Sequence, residues 1–274
     1  MSDFSQGAVG VVDALGFKGI WNRYPLDAVR RTLEEIRKYA LEEVSKMMKR
    51  LYAHGVARPF EIAAFSFSDT VIFTAVTSKA ERSSDALAGA AGLVAAGISY
   101  LMRRAVCSEV PLIFRGAIAT GECFVDHDRG MFLGPAVDEA SELEKKAEGA
   151  FVWLSPETCT LDLNDWNRRT WENLLSQYDV PLKGCSPIRT KVVNPFVHVS
   201  HVADEFAKIR DGYLSFLSSK SRPEATDRED VVRKRVNTEK LLVFFEEQAR
   251  KQAVRMQLEH EWKMEMRRRE REGS

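Results

Sequence analysis

Two aspartates end apolar runs in this chain. Asp13 closes Val9-Gly10-Val11-Val12-Asp13, and Asp69 lies inside Phe65-Ser66-Phe67-Ser68-Asp69-Thr70-Val71-Ile72-Phe73. An acid at the end of one strand and an acid in a hairpin between two others can face each other across neighbouring strands. Carboxylate oxygens are hard donors that suit Mg²⁺ or Mn²⁺, and a pair of such ions can activate a hydroxyl against a phosphate. Each acid also has a plain structural use. Asp13 can cap the turn that follows it, and Asp69 can serve a tight turn. Zinc finds no counterpart here. Cys107, Cys123, Cys159 and Cys185 form no close pair, and His198 and His201 fall on opposite faces of an expected strand. His54 and His127 read as loop residues.

The elements that must carry the two acids follow from hydrophobic period. Residues 8–15 predict a buried strand, followed by a glycine-bearing turn at Leu15-Gly16-Phe17-Lys18-Gly19. Tyr24-Pro25-Leu26-Asp27 opens a helix whose apolar residues recur at three and four from Ala28 to His54, and Gly55 stops it. Strands are expected at 60–67 and 70–76, joined by Ser68-Asp69 as a tight hairpin. A helix follows over 83–107, then strands at 112–120, 123–126 and 131–133, a helix over 135–149, a strand at 151–154 and a short helix from Ser155. Residues 160–200 are less regular, with Trp153, Trp166 and Trp171 assigned to the core and a strand expected at 191–199. The order implies an α+β fold, an antiparallel-rich sheet with helices on one face. A catalytic domain over 1–203 and a helical extension over 204–274 are expected, with a linker at 218–226 and a long charged helix carrying Val232, Val236, Leu242, Phe245, Ala249, Ala253, Met256 and Trp262. That helix packs on its own domain or on a partner chain; only Arg267-Arg268-Arg269 hints at a membrane or nucleic acid.

The 274 residues suit one large domain or a domain with an appendage. Charge is balanced, 40 basic against 40 acidic residues, which argues against a nucleic-acid coat or a polybasic membrane binder. The cysteine usage and an N-terminus without a basic-then-apolar leader imply a reduced, cytoplasmic protein. The apolar stretch over 86–102 is rich in Ala and Gly, which suits a helix packed closely on a sheet better than a membrane span.

Four segments now fall into a known order. Val11-Val12-Asp13-Ala14-Leu15-Gly16-Phe17 resembles the first metal motif of class III nucleotide cyclases, and Ser66-Phe67-Ser68-Asp69-Thr70-Val71-Ile72-Phe73 resembles their second metal hairpin. Arg115-Gly116-Ala117-Ile118-Ala119-Thr120-Gly121-Glu122 is similar to their Arg-x-Gly strand. Leu133-Gly134-Pro135-Ala136-Val137-Asp138-Glu139-Ala140-Ser141-Glu142-Leu143-Glu144 stands where the family has a Gly-x-x-Val-Asn-x-x-x-Arg-Leu helix. The match spans about residues 8–155. Both positions that read a purine in the family carry groups without hydrogen-bonding capacity, Phe65 and Pro135. Asp138 replaces the Asn that orients the ribose, and Glu142 replaces the Arg that meets charge on the phosphate oxygens. With metal acids kept and purine readers lost, the chain resembles the pyrimidine cyclases of bacterial anti-phage signalling, the Pycsar group, and among them the uridylate cyclases.

The resemblance implies a specific division of labour. Asp13, Asp69 and the Ala14 carbonyl would hold two divalent cations, Mn²⁺ or Mg²⁺. Gly16, Phe17 and Lys18 would form the phosphate loop at the start of a helix. Phe65 and Asp138 would face the substrate. Lys146, one turn beyond Glu142, would supply the missing cation, with Arg23, Arg103 and Arg104 as other candidates. Arg115 awaits either a carboxylate such as Glu122 or the substrate. The implied activity converts UTP to cyclic UMP and pyrophosphate for a separate effector, in a homodimer with sites at the interface and the long helix as a strap. Two other functions remain open: an inactive cyclase-like nucleotide-binding module, and an adenylate cyclase with an unusual pocket.

Overall fold

The computed structural model describes residues 4–51, 60–77, 83–126, 128–197, 199, 203–218 and 229–272. His54, Gly55, His127, His198, His201 and the expected linker beyond Ser218 lie outside the described residues, as do the side chains of Trp166, Met256 and Arg267 to Arg269. The elements run β1 (Ser5–Ala14), α1 (Leu26–Leu51), β2 (Phe60–Phe67), β3 (Thr70–Thr77), α2 (Ser84–Val106), β4 (Phe114–Asp126), β5 (Met131–Leu133), α3 (Pro135–Glu144), β6 (Val152–Leu154), α4 (Pro156–Cys159), α5 (Asp165–Leu174), β7 (Leu175–Leu182), β8 (Cys185–Val193), α6 (Ala203–Ser218) and α7 (Glu229–Glu272). The strands form one eight-stranded sheet ordered β2-β3-β1-β4-β6-β8-β7, with β5 paired to β4. Every pairing is antiparallel except β4 with β6. The fold is α+β, with a mostly antiparallel sheet, flanking helices and a long C-terminal helix.

β1 is apolar in both phases, so it needs cover on both faces. Ala8, Val12 and Ala14 join the cluster built with α1 and α2, while Val9 and Val11 meet Ala136 and Ala140 of α3. The expectation of helices on one face is therefore corrected: α1 and α2 lie on one side of β1, and α3 on the other. The small residues of α2 bring it close to the sheet. A Cβ on Gly97 would lie 2.4 Å from the Phe73 ring, and one on Gly10 would lie 2.5 Å from Ile98 Cδ1. Among the described residues α2 is the one helix long and apolar enough to cross a membrane, and 83% of its most apolar window is buried.

Three further differences from the sequence reading have local causes. The two strands expected at 112–126 are one continuous strand, β4. α3 stops at Glu144, five residues short of the expected end. Beyond it Ala147 bridges to Leu182, and Gly149 takes a φ of 157°, which no helix accommodates. The strand expected at 191–199 is β8, which ends at Val193 because the Asn194 side chain accepts the Phe196 N–H at 2.9 Å and turns the chain. The region 160–193 also holds α5, capped by Asn164 on Asn167 N at 2.7 Å, and the β7–β8 hairpin.

The C-terminal helices share a second cluster with the sheet. Tyr213 of α6 and Leu241, Leu242 and Phe245 of α7 pack with Phe151, Trp153 and Phe196. Thr238 Oγ1 accepts the Ala150 N–H at 3.0 Å, and Asn237 Nδ2 donates to the Glu148 carbonyl at 2.7 Å. Past Ala249 the helix leaves this cluster, and Val254, Leu258 and Trp262 are exposed.

Replacing Gly97 by alanine tests the close approach of α2. Helix propensity alone favours Ala by about 1 kcal/mol, yet the forced displacement from Phe73 should make Gly97→Ala less stable by about 1–3 kcal/mol in urea or thermal unfolding. A variant as stable as the parent would show that α2 is free to move off the sheet.

Candidate active site

Asp13 is brought into place by strand phase. It follows Val9 and Val11 on alternate positions, so it points to the face that α3 covers. Its register neighbours are Thr70 on β3 and Arg115 on β4. The β2–β3 hairpin closes at Phe67 and Thr70, with Ser68 in the left-handed region at φ 56°. The Ala14 N–H donates to the Asp69 carbonyl at 3.0 Å, which ties the hairpin to the end of β1. The hairpin thus brings Asp69 to the end of the strand that carries Asp13. Asp69 is close enough to act electrostatically on Asp13.

Arg115 is the cation at this acid pair. Its Nη2 donates to Asp13 Oδ2 at 3.3 Å, and its Nε lies 2.8 Å from Glu144 Oε1 in an ion pair whose angle is not that of a directed hydrogen bond. Glu122, the carboxylate expected for Arg115, instead lies farther along β4, opposite Gln6. The Asp13 carboxyl is pushed up to about 6, first by burial and then by the charges of Asp69 and Glu144; Arg115 only partly offsets them.

The loop after β1 is built from backbone. Gly16 and Gly19 adopt φ of 71° and 77°, values that favour glycine. Arg23 Nη2 donates to the Gly16 carbonyl at 2.9 Å, and the Ile20 N–H to the Phe17 carbonyl at 2.8 Å. The Phe17 ring is buried, edge-on to Trp21 at 5.5 Å, while Lys18 is exposed. The loop leads into a 3₁₀ turn at Ile20–Asn22, and α1 begins only at Leu26, so the loop does not sit directly at an α-helix N-terminus. A groove of about 440 Å³ beside it is lined by Phe17, Trp21, Leu26, Arg37, Ser66 and Ser68, among others.

The remaining sequence candidates divide by position. Phe65 shares the Asp13 face through its register with Ile72 and Val11, and its ring meets Phe132 of β5 at 4.3 Å. Asp138 is exposed in the first turn of α3, where Pro135 occupies the opening position. Lys146 follows the end of α3 and pairs with Glu142 at 2.6 Å, so its charge is already matched. Arg23 is committed to the Gly16 carbonyl. Arg103 donates to the Val197 carbonyl at 3.1 Å and Arg104 pairs with Glu35 at 3.3 Å, both on the α2 side of the sheet. Glu144 and Phe132 were not among the sequence candidates. Glu144 has a sequence signal after all: Ala136, Ala140 and Glu144 recur at four, the stripe of α3 that faces the sheet.

Among the described residues no three His, Cys, Asp or Glu side chains gather into a full metal cage. The donor set still fits a hard divalent cation that shares its shell with a phosphate and water, because Mg²⁺ and Mn²⁺ commonly take only one or two carboxylates from a protein. Asp13, Asp69 and Glu144 set three acids against one arginine, a negative excess that such a cation would neutralise.

No family model matches the chain, and no curated protein matches it. Solved structures similar to it include the adenylyl cyclase CyaB from P. aeruginosa, at 19% identity over 69% of this chain and 94% of that chain with a TM-score of 0.39. Another is the catalytic core of a rhodopsin-guanylyl cyclase with converted specificity in complex with ATPαS, at 13% identity, 69% and 95% coverage, and a TM-score of 0.42. A third is an adenylate cyclase from Trypanosoma brucei in its monomeric state, at 10% identity, 72% and 92% coverage, and a TM-score of 0.43.

The raised Asp13 carboxyl gives a signed pH dependence. Between the usual 3.8 and about 6 the native state holds the proton that the unfolded chain has lost, so this group makes stability fall as pH rises through that window. Asp13→Asn should remove that part of the slope. It should also stabilise the metal-free protein at neutral pH by about 1 kcal/mol, discounted for screening by water at a partly open site. Urea unfolding across the window measures both; a variant less stable at neutral pH would mean that Arg115 outweighs the acids.

Proposed function

We propose that this chain is a metal-dependent nucleotide cyclase acting on a pyrimidine triphosphate, with UTP as substrate and cyclic UMP and pyrophosphate as products. The observation that carries the reading is the meeting of Asp13 and Asp69 at the end of β1, tied by the Ala14-to-Asp69 backbone bond beside the Gly16-Phe17-Lys18 loop. Asp13, Asp69 and the Ala14 carbonyl would hold two Mn²⁺ or Mg²⁺ ions. Bound there, these would supply Lewis-acid activation of the 3′-hydroxyl and charge neutralisation on the phosphates. The loop N–H groups and the exposed Lys18 would orient the triphosphate, and the buried Phe17 ring anchors the loop rather than touching substrate. Phe65 with Phe132 offers an apolar surface for the base on the Asp13 face. Neither Phe65 nor Pro135 has a side-chain group that could hydrogen-bond a purine edge, which supports the pyrimidine preference. Asp138 would approach the ribose. The arrangement suits a homodimer in which the exposed outer stripe of α3 completes a partner's site. The motif resemblance further supports a second-messenger role in antiviral defence, with the product read by a separate effector.

A second reading draws on the Lys146–Glu142 pair. That pair holds the proposed transition-state cation against Glu142, the residue that stands where the family has its arginine, which favours a nucleotide-binding module without turnover.

Incubation with each of the four nucleoside triphosphates and Mn²⁺, with products separated by chromatography, distinguishes these. Cyclic UMP from UTP is the expected outcome, and Asp69→Ala should reduce turnover at least about 10²-fold. Product from ATP or GTP alone would sink the pyrimidine preference. Nucleotide binding by calorimetry without pyrophosphate release would establish the inactive module.

A further inference from the structure

We propose that Glu144 is a positioning residue for Asp13, acting through Arg115, and that it keeps the Asp13 carboxylate available to a divalent cation. The inference rests on the metal-site reading above. Arg115 and Glu144 have side chains only 16% and 7% exposed, so neither charge can rely on water for neutralisation. The guanidinium is a rigid planar fork whose edges serve different partners. Its Nε lies 2.8 Å from Glu144 Oε1 as a close ion pair without the angle of a directed hydrogen bond, and its Nη2 donates to Asp13 at the longer distance of 3.3 Å. Glu144 therefore takes the closer share of the positive charge. Lys183, a second cation that senses Glu144, donates its ammonium to the Lys145 carbonyl, and among the described residues Arg115 is the cation paired with the Glu144 carboxylate. Without the negative charge of Glu144, Arg115 would have Asp13 as its remaining carboxylate contact. A closed Arg115–Asp13 pair would then compete with a cation for the same oxygens.

The placement of Glu144 also explains why an acid occupies the buried stripe of α3. Ala136 and Ala140 precede it at intervals of four and lie against β1 and β4, where an uncharged residue would pack at no electrostatic cost. An acid in the third position is justified by the arginine it meets.

The test is a Mn²⁺ titration of the full chain, with the free ion followed by electron paramagnetic resonance. Wild type should take up Mn²⁺, and Asp13→Asn should lose it. Glu144→Gln should weaken uptake about tenfold, the scale of one partly screened charge contact. Arg115→Gln should bind at least as tightly as wild type. Adding Glu144→Gln to Arg115→Gln should cost clearly less than it does in wild type, leaving only the direct charge of Glu144 on the site, because the residue through which Glu144 positions Asp13 is gone. Unchanged affinity in Glu144→Gln overturns the proposal, as does an equal loss in the Arg115→Gln background. If Glu144→Gln alone does not fold, the comparison of Arg115→Gln with the double variant, where no uncompensated buried arginine remains, decides the matter on the same criterion. A wild-type protein that takes up no Mn²⁺, or whose uptake survives both Asp13→Asn and Asp69→Asn, overturns the metal site itself and this proposal with it.

Discussion

The pairing of β1 with β3 on one edge and β4 on the other is the constraint on which the site depends. That register sets Asp13 opposite Thr70 and Arg115 at once, and it places the Asp69 carbonyl on the Ala14 N–H. A strand repeats every two residues, so a slip of one would turn Asp13 into the α2 layer and bring Val12 to the α3 face. Both faces of β1 are buried, and neither layer tolerates that exchange. The hydrophobic burial that selects the register is therefore also what aims the carboxylate.

The two sides of α3 show how one short helix serves two surroundings. Its inner stripe, Ala136, Ala140 and Glu144, lies against the sheet and ends on the buried arginine. A second series at the same interval, Asp138, Glu142 and Lys146, runs outward and ends in an ion pair with solvent access. The inner series is low in dielectric, where one charge contact carries weight; the outer series is screened, where a pair contributes little to stability. The same residue types thus have different energetic meaning a little over half a turn apart.

Much of the fold was legible in the sequence because its elements are strongly periodic. The β2–β3 hairpin and α2 agree with expectation to within a residue, since β-branched alternation and an Ala-rich run leave few alternatives. The end of α3 was not legible: Ala147 departs to pair with Leu182, thirty-five positions away, and no local pattern announces a contact of that range. Residues 160–193 failed for a related reason, since α5 is held by Trp171 Nε1 donating to the Ala88 carbonyl and by Asn167 on Asp85, all on the distant α2. At the site, Asp13, Asp69 and the glycine loop were visible as motifs. The partners of Arg115 were not, because register across β1 and the burial of one helix stripe together choose Asp13 and Glu144 over the nearer Glu122.

The layer beneath the site has a mechanical consequence. Alanine and glycine have no side-chain rotamers to lose, so the many of them on the buried face of α2 add no side-chain entropy cost to its packing. Contacts as close as those of Gly97 with Phe73 and Gly10 with Ile98 leave no slack between helix and strand. The α2 layer acts as a stiff anvil under β1. With that layer fixed, any displacement at the site would have to come from its other boundaries, the Ser68–Asp69 hairpin, the Gly16–Gly19 loop and α3.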